Sequence, residues 1–234
     1  MPLARVIDHA RRLRAAGTVV FDLDSTLLDN RPRQARILRE YGQAHGVAPL
    51  SSCRPEHWVD WSIRTAMRNA GLPEADIARH TDPARAFWRE RFFTSEYCVD
   101  DLPIRGAIAF VGAVREAGAQ VLYVTGRHEG MRPGTVECFA RHDFLVPDEE
   151  VVLLLMKPTL EQSDDTFKIE IQGQLRDRGK MIAAFDNEPA HANGYRAAFP
   201  EAIVVRLDTD HSGRPIPLLP GIELISHFDG DGRR

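Results

Sequence analysis

Lysine is scarce in this sequence. Of 30 basic residues only Lys157, Lys168 and Lys180 are lysine, and the rest are arginine. Arginine therefore serves wherever any surface cation will do, and each lysine raises the question of whether a planar guanidinium would fail in its place. Cysteine is scarce too. Cys53, Cys98 and Cys138 are odd in number, far apart and without metal-ligand spacing, which excludes a disulfide scaffold and suits a reducing compartment. The longest uninterrupted apolar run, Val151–Met156, is far short of the roughly 20 residues that cross a bilayer. The stretch before Gly17 is too charged to hold the apolar core of a secretory signal, so the expected location is cytoplasmic. An excess of one charge is also lacking. With 34 acidic residues and a net charge of -4, nothing argues for nucleic acid or a membrane surface as partner. With 17 glycines and 15 prolines in 234 residues, collagen-like and low-complexity classes are excluded as well.

What remains is an ordinary folded chain, 43% hydrophobic and 27% charged, long enough for one large domain or two small ones. Val6, Ala10 and Leu13 recur at helical spacing over residues 4–16, and Gly17 follows as a stop. Residues 18–21, TVVF, form a β-branched and aromatic run that predicts a buried central strand ending in Asp22-Leu23-Asp24. Residues 31–100 hold no strand run. They carry three helical patterns, all three tryptophans (Trp58, Trp61, Trp88), and prolines 49, 55, 73 and 83 near expected helix starts. Beyond residue 100 helices alternate with strands at 120–125, 151–156, 181–186 and 202–207, the pattern of a parallel sheet covered on both faces. After Asp208 the chain is rich in Pro and Gly and reads as a wrapped tail. The expected architecture is α/β: a three-layer, Rossmann-like parallel-sheet core formed by residues 1–30 and 101–234, with an all-helical insert at 31–100.

In such sheets ligands bind beyond the carboxyl ends of the strands. Three strand ends here carry reactive groups: Asp22 to Thr26, Thr125-Gly126-Arg127, and Asp186-Asn187-Glu188. Lys168 opens the helix that feeds the Asp186 strand. Asp22, its neighbour Asp24 and Asp186 make a compact set of hard oxygen ligands suited to Mg²⁺. A cation there would let one carboxylate approach phosphorus as a nucleophile. Asp24 is placed to act as general acid and then base, while the Thr125 hydroxyl and the Lys168 ammonium would hold the phosphoryl oxygens.

FDLDSTLLD, YVTGR and AFDNEP, in that order with Lys168 between the last two, resemble the haloacid dehalogenase superfamily of phosphohydrolases, and the helical insert stands where many members carry a cap. The pattern D-x-D-x-T is met by Asp22, Asp24 and Thr26. The resemblance implies that Asp22 forms an aspartyl-phosphate. It implies that Asp24 is the acid/base and lends a backbone carbonyl to Mg²⁺, that Thr125 and Lys168 hold the phosphate, and that Asp186 binds the metal. The acid at position 24 favours phosphate chemistry over dehalogenation. The sequence departs from the family where a second acid often follows the last motif: Asn187, Ala190 and His191 stand there, leaving Asn187 or Glu188 to assist the metal.

Lys168 is preferred over Lys157 for the phosphate role because Lys157 follows an expected edge strand, and Lys180 lies at the wrong end of its strand. Gly126 and Arg127 complete the expected substrate contacts, although a surface ion pair suits Arg127 equally well. The other histidines lack zinc spacing. The aromatic residues of the insert are expected to form its own core, and Arg64 and Arg91 are candidates for its entrance. The expected activity is Mg²⁺-dependent hydrolysis of a small, soluble phosphate monoester. A phosphotransferase or mutase using the same aspartyl-phosphate, and a non-catalytic phosphorylatable protein, remain alternatives. No apolar stripe argues for a particular oligomeric state.

Overall fold

The computed structural model describes residues 1–229, so the end of the expected core range, 230–234, lies outside the described residues. Helix α1 (Pro2–Leu13) turns Leu3, Val6 and Ala10 inward and leads through a 3₁₀ turn into β1 (Gly17–Phe21). Side chains of a strand alternate between faces. Val19 and Phe21 accordingly enter one apolar layer and Val20 the other. The chain then forms β2 (Leu28–Asp29) and four helices, α2 (Arg31–His45), α3 (Ile63–Asn69), α4 (Glu74–Phe92) and α5 (Ser95–Cys98). It returns through β3 (Leu102–Pro103), which pairs antiparallel with β2, so that the outgoing and returning chain are joined by one short ribbon.

The remainder alternates: α6 (Ala107–Glu116), β4 (Gln120–His128), α7 (Arg132–Arg141), β5 (Val152–Lys157), α8 (Asp164–Asp177), β6 (Lys180–Asp186), α9 (Pro189–Ala198), β7 (Ile203–Leu207) and β8 (Glu223–Ile225). The main sheet is parallel throughout, in the order β5-β4-β1-β6-β7-β8. One face is covered by α1, α6 and α7, which bring Val6, Phe110, Val111 and Phe139 onto Val19 and Phe21. The other is covered by α8 and α9, which bring Phe167, Ile171, Leu175 and Tyr195 onto Val20, Leu122 and Ala184. Full burial of one such side chain contributes about 1.5–3 kcal/mol, so the two layers carry most of the stability of the core. β1 is central, flanked by the two strands whose ends hold the other reactive groups, with β5 at the edge as expected.

The helices between Arg31 and Cys98 enclose an apolar cluster of their own, with Leu38, Tyr41, Leu50, Trp58, Met67 and Ile77 at its centre. Two expectations need correction. Pro83 does not start a helix. It lies inside α4, which runs through it unbroken from Glu74 to Phe92, because the faces on either side pack Ile77 and Ala84 into the same cluster. The tail after Asp208 is not wholly irregular either, since Glu223–Ile225 adds a sixth parallel strand beside β7.

Candidate active site

The ladder between β1 and β6 continues one residue past β1, where the Asp22 amide donates to the Phe185 carbonyl at 2.9 Å. This sets Asp22 beside Asp186 at the carboxyl edge of the sheet. Lys168, in the second turn of α8, reaches between them. Its ammonium donates to Asp22 Oδ1 at 2.8 Å, Asp186 Oδ2 at 2.9 Å and the Val124 carbonyl at 2.7 Å. An ammonium has three donors arranged about a point, and all three are used, an arrangement a planar guanidinium cannot reproduce. Burial raises the Asp22 carboxyl, with Asp186 adding to the effect and Lys168 opposing it. Burial would raise Asp186 as well, but Lys168 and His191 overcome it and hold that carboxyl well below the usual range.

Among the described residues no group of three His, Cys, Asp or Glu side chains is arranged to hold a metal. Mg²⁺ does not require one. It binds through one or two carboxylates and completes its shell with water and substrate phosphate. Asp22 and Asp186 supply that minimal set. Lys168 and His191, whose Nδ1 lies 3.4 Å from Asp186 Oδ1, already pair with these carboxylates, and the oxygen donors they hold together at one sheet edge are of the hard type a divalent cation takes. The Asn187 side chain is turned to Thr26, whose hydroxyl donates to Asn187 Oδ1 at 3.3 Å, and to the Asp210 carbonyl, which accepts from Asn187 Nδ2 at 2.6 Å. Glu188 borders the cavity and is tied to the tail: it accepts from the Ser212 amide, and from the Ser212 hydroxyl at 2.8 Å.

Asp24 occupies a different environment. Arg127 forks onto it, with Nε 2.9 Å from Oδ2 and Nη2 2.8 Å from Oδ1. Arg33 Nη2 donates to Oδ1 at 2.8 Å, and Asn30 Nδ2 at 3.2 Å. Against burial, the two guanidinium groups hold the Asp24 carboxyl well below the usual range. Asp101 completes a quartet of two arginines and two carboxylates, buried except for Asp24, which is partly exposed. Arg127 Nη2 donates to its Oδ2, and Arg33 Nε lies 3.0 Å from its Oδ1 without the alignment of a hydrogen bond. Arg33 also donates to the Phe92 carbonyl at 3.0 Å and stacks on the Phe92 ring.

Arg127 is engaged in an ion pair, a buried rather than a superficial one, and it also borders the cavity. Thr125 ends the straight part of β4, and its buried hydroxyl accepts from the Arg127 amide at 3.2 Å. Gly126 and Arg127, not Thr125, line the cavity in front of Asp22. Lys157 is held at the edge by Asp164 at 2.7 Å and the Gln162 carbonyl at 2.8 Å, away from Asp22. Lys180 is exposed at the far end of β6.

The cavity has a volume of about 200 Å³ and two unlike walls. The core supplies Asp22, Asp24, Arg127, Lys168 and His191, and the insert supplies Trp61, Trp88, Phe92 and Phe93. Trp58 belongs to the core of the insert, as expected for its aromatic residues; Trp88 packs against the same cluster, and Trp61 and Trp88 pack against a smaller one of Ile37, Phe92 and Tyr97, while both also border the cavity. Arg64 and Arg91 are not part of the cavity lining. Arg64 approaches Glu74, and Arg91 lies over Phe87 beside Glu40 and Glu90. Arg33, Asp101 and His191 were missed by sequence reasoning. Only His191 carries a local signal, because it stands where the family's second acid often falls.

The backbone trace matches solved structures closely enough to decide the fold. Protein Tyrosine Kinase A of Mycobacterium tuberculosis superposes with a TM-score of 0.53 at 17% identity, covering 91% of this chain and 94% of that one. A haloacid dehalogenase hydrolase of family IA, variant 3, from Entamoeba histolytica gives 0.52 at 12% identity, over 91% and 93%. The chain has the haloacid dehalogenase fold. CbbY from Rhodobacter sphaeroides, in complex with xylulose-1,5-bisphosphate, shares that fold with a TM-score of 0.51 at 14% identity, over 90% and 94%. No family profile and no curated protein matches the sequence. Among the described residues no helix is long and apolar enough to cross a membrane.

Proposed function

We propose that this chain is a haloacid dehalogenase-type phosphomonoester hydrolase in which Asp22 is the nucleophile. The observation that carries the reading is the convergence of Asp22, Lys168 and Asp186 at the floor of a cavity closed on its other side by the helical insert. In the first step an Asp22 oxygen bonds to phosphorus and the ester P–O bond breaks. The leaving oxygen takes a proton from Asp24. In the second, water attacks the aspartyl-phosphate, gives a proton back to Asp24 and releases phosphate with Asp22 restored. Asp22, Asp186 and the Asp24 backbone carbonyl would hold Mg²⁺, which neutralises phosphate charge when bound. Lys168 fixes the orientation of the Asp22 carboxylate and keeps its second oxygen directed at the cavity. The insert, acting as a cap, excludes bulk water during the first step. Asp24 works as acid and base only when it is released by Arg127 of β4 and by Arg33 of the insert, and movement of the insert would remove the second of these contacts.

The deciding measurement is phosphate release from 4-nitrophenyl phosphate, with Mg²⁺ and with chelator, by the wild type and Asp22→Asn. Metal-dependent release that falls by about three orders of magnitude in the variant is expected. Equal release by both proteins overturns the assignment of Asp22. Turnover that rises with an added alcohol, with the phosphoryl group found on it, would identify a phosphotransferase instead.

A further inference from the structure

We infer that the substrate is a phosphate monoester bearing a single aromatic ring next to the ester oxygen, held between the phosphate-binding floor and an aromatic wall of the insert. This rests on the hydrolase reading above and names the substrate class of the same site. The wall is built from Trp61, Trp88, Phe92 and Phe93, the insert's whole contribution to the cavity. The four rings form one continuous cluster. Trp88 and Phe92 stack at 4.4 Å, Trp61 meets Phe92 edge-on at 5.9 Å, and Phe93 meets Trp88 and Phe92 edge-on at 5.7 and 5.2 Å. Such arrays bind flat rings by stacking or edge contact.

Two features favour a ring. The insert places no hydroxyl, amide or charged side chain on the cavity; its polar lining (Asp24, Arg127, Asp164, Asn187, Glu188 and His191) belongs to the core wall, so the side of a substrate that faces the insert meets only rings. The volume is also sufficient: a cavity of roughly 150 Å³ lined by apolar side chains accommodates benzene, and the 200 Å³ here has room for one ring.

The test compares benzyl phosphate, cyclohexylmethyl phosphate and glycerol 3-phosphate, which all leave as primary alkoxides and so differ little in intrinsic reactivity. The expected order of kcat/KM places benzyl phosphate first, by about three- to ten-fold over the saturated ring, with glycerol 3-phosphate last. Trp61→Leu and Trp88→Leu should collapse the preference of benzyl over cyclohexylmethyl phosphate mainly through KM, whereas Trp88→Phe, which keeps an aromatic face, should retain most of it. Binding of benzylphosphonate, read from quenching of tryptophan emission and compared with methylphosphonate, gives a second readout that needs no turnover. Asp22-dependent hydrolysis of all three esters at equal kcat/KM leaves the hydrolase reading standing and overturns the aromatic one. Preferential binding of benzylphosphonate with no Asp22-dependent hydrolysis does the reverse. Failure to bind either phosphonate, together with no hydrolysis, overturns both.

Discussion

Lys168 spends all its hydrogen-bonding capacity inside the protein, on two carboxylates and a carbonyl. Removing it would leave two buried carboxylates facing each other, with only His191, 3.4 Å from Asp186, to offset them. Breaking a buried pair in this way costs about 3–5 kcal/mol, so Lys168→Met should lose that much unfolding free energy in urea titrations, with activity lost as well. Lys168→Arg should recover charge but not geometry, and so regain only part of the stability. The scarcity of lysine raised the question at three positions, and strand order, with Lys157 after an edge strand, singled out this one. The neighbouring quartet was not legible, because Asp24 and Arg127 lie about a hundred positions apart and no local pattern couples them. Asp101→Asn would leave two guanidinium groups against one carboxylate in a buried space. A loss of about 3 kcal/mol is expected, read from the same titrations.

Elements meet at close quarters in two places that can be probed singly. α7 approaches α5 at Gly134, where an added methyl group would stand 2.0 Å from the Ser95 carbonyl oxygen, a contact backbone cannot relieve without moving. Gly134→Ala should therefore separate the end of the insert from the core and cost about 1–3 kcal/mol, as overpacking does. A shifted thermal midpoint with an unchanged unfolding m-value would confirm it. The tail is fastened to α8 and α9 by charge: Asp165 accepts from Arg214 at 2.6 and 3.0 Å and meets His191 Nε2 at 2.9 Å. The hydrogen bond from Arg214 pulls the Asp165 carboxyl down to about 2, against burial and with help from His191. A carboxyl depressed on folding stabilises above its unfolded pKa of about 3.9 and loses that stabilisation as the pH falls through the folded value. Because Asp165 is nearly half exposed, the contribution is discounted to about 0.5 kcal/mol. The stability gap between wild type and Asp165→Asn should thus be constant above about pH 5 and fade between about pH 4 and pH 2. A gap that instead opened on acidification would contradict the pairing.

At the scale of the whole molecule, the sheet was readable because each long strand is a continuous apolar run buried on both sides, and the reactive groups sit at strand ends where local sequence marks them. β8 and the β2–β3 ribbon escaped notice because strands of two or three residues carry no periodicity. α4 was divided at Pro83 because the local signal of proline is a helix break, and tertiary packing overrode it. The aromatic wall was hidden for a related reason. Helical spacing shows that Trp88 faces inward, but not whether inward means a core or a cavity.

The position of β1 between β4 and β6 has a consequence for how the chain reaches its native state. β1 is made early, yet its partners arrive about 100 and 160 residues later. The insert, by contrast, closes its own apolar cluster from neighbouring segments. During vectorial synthesis, at about 5–20 residues per second, the insert can assemble on the ribosome while β1 waits with both edges bare. The acidic turn that becomes the reactive centre is thus among the first pieces translated and the last to be assembled. Pulse-labelling hydrogen exchange on refolding protein should accordingly show protection in α2–α4 before protection in β1.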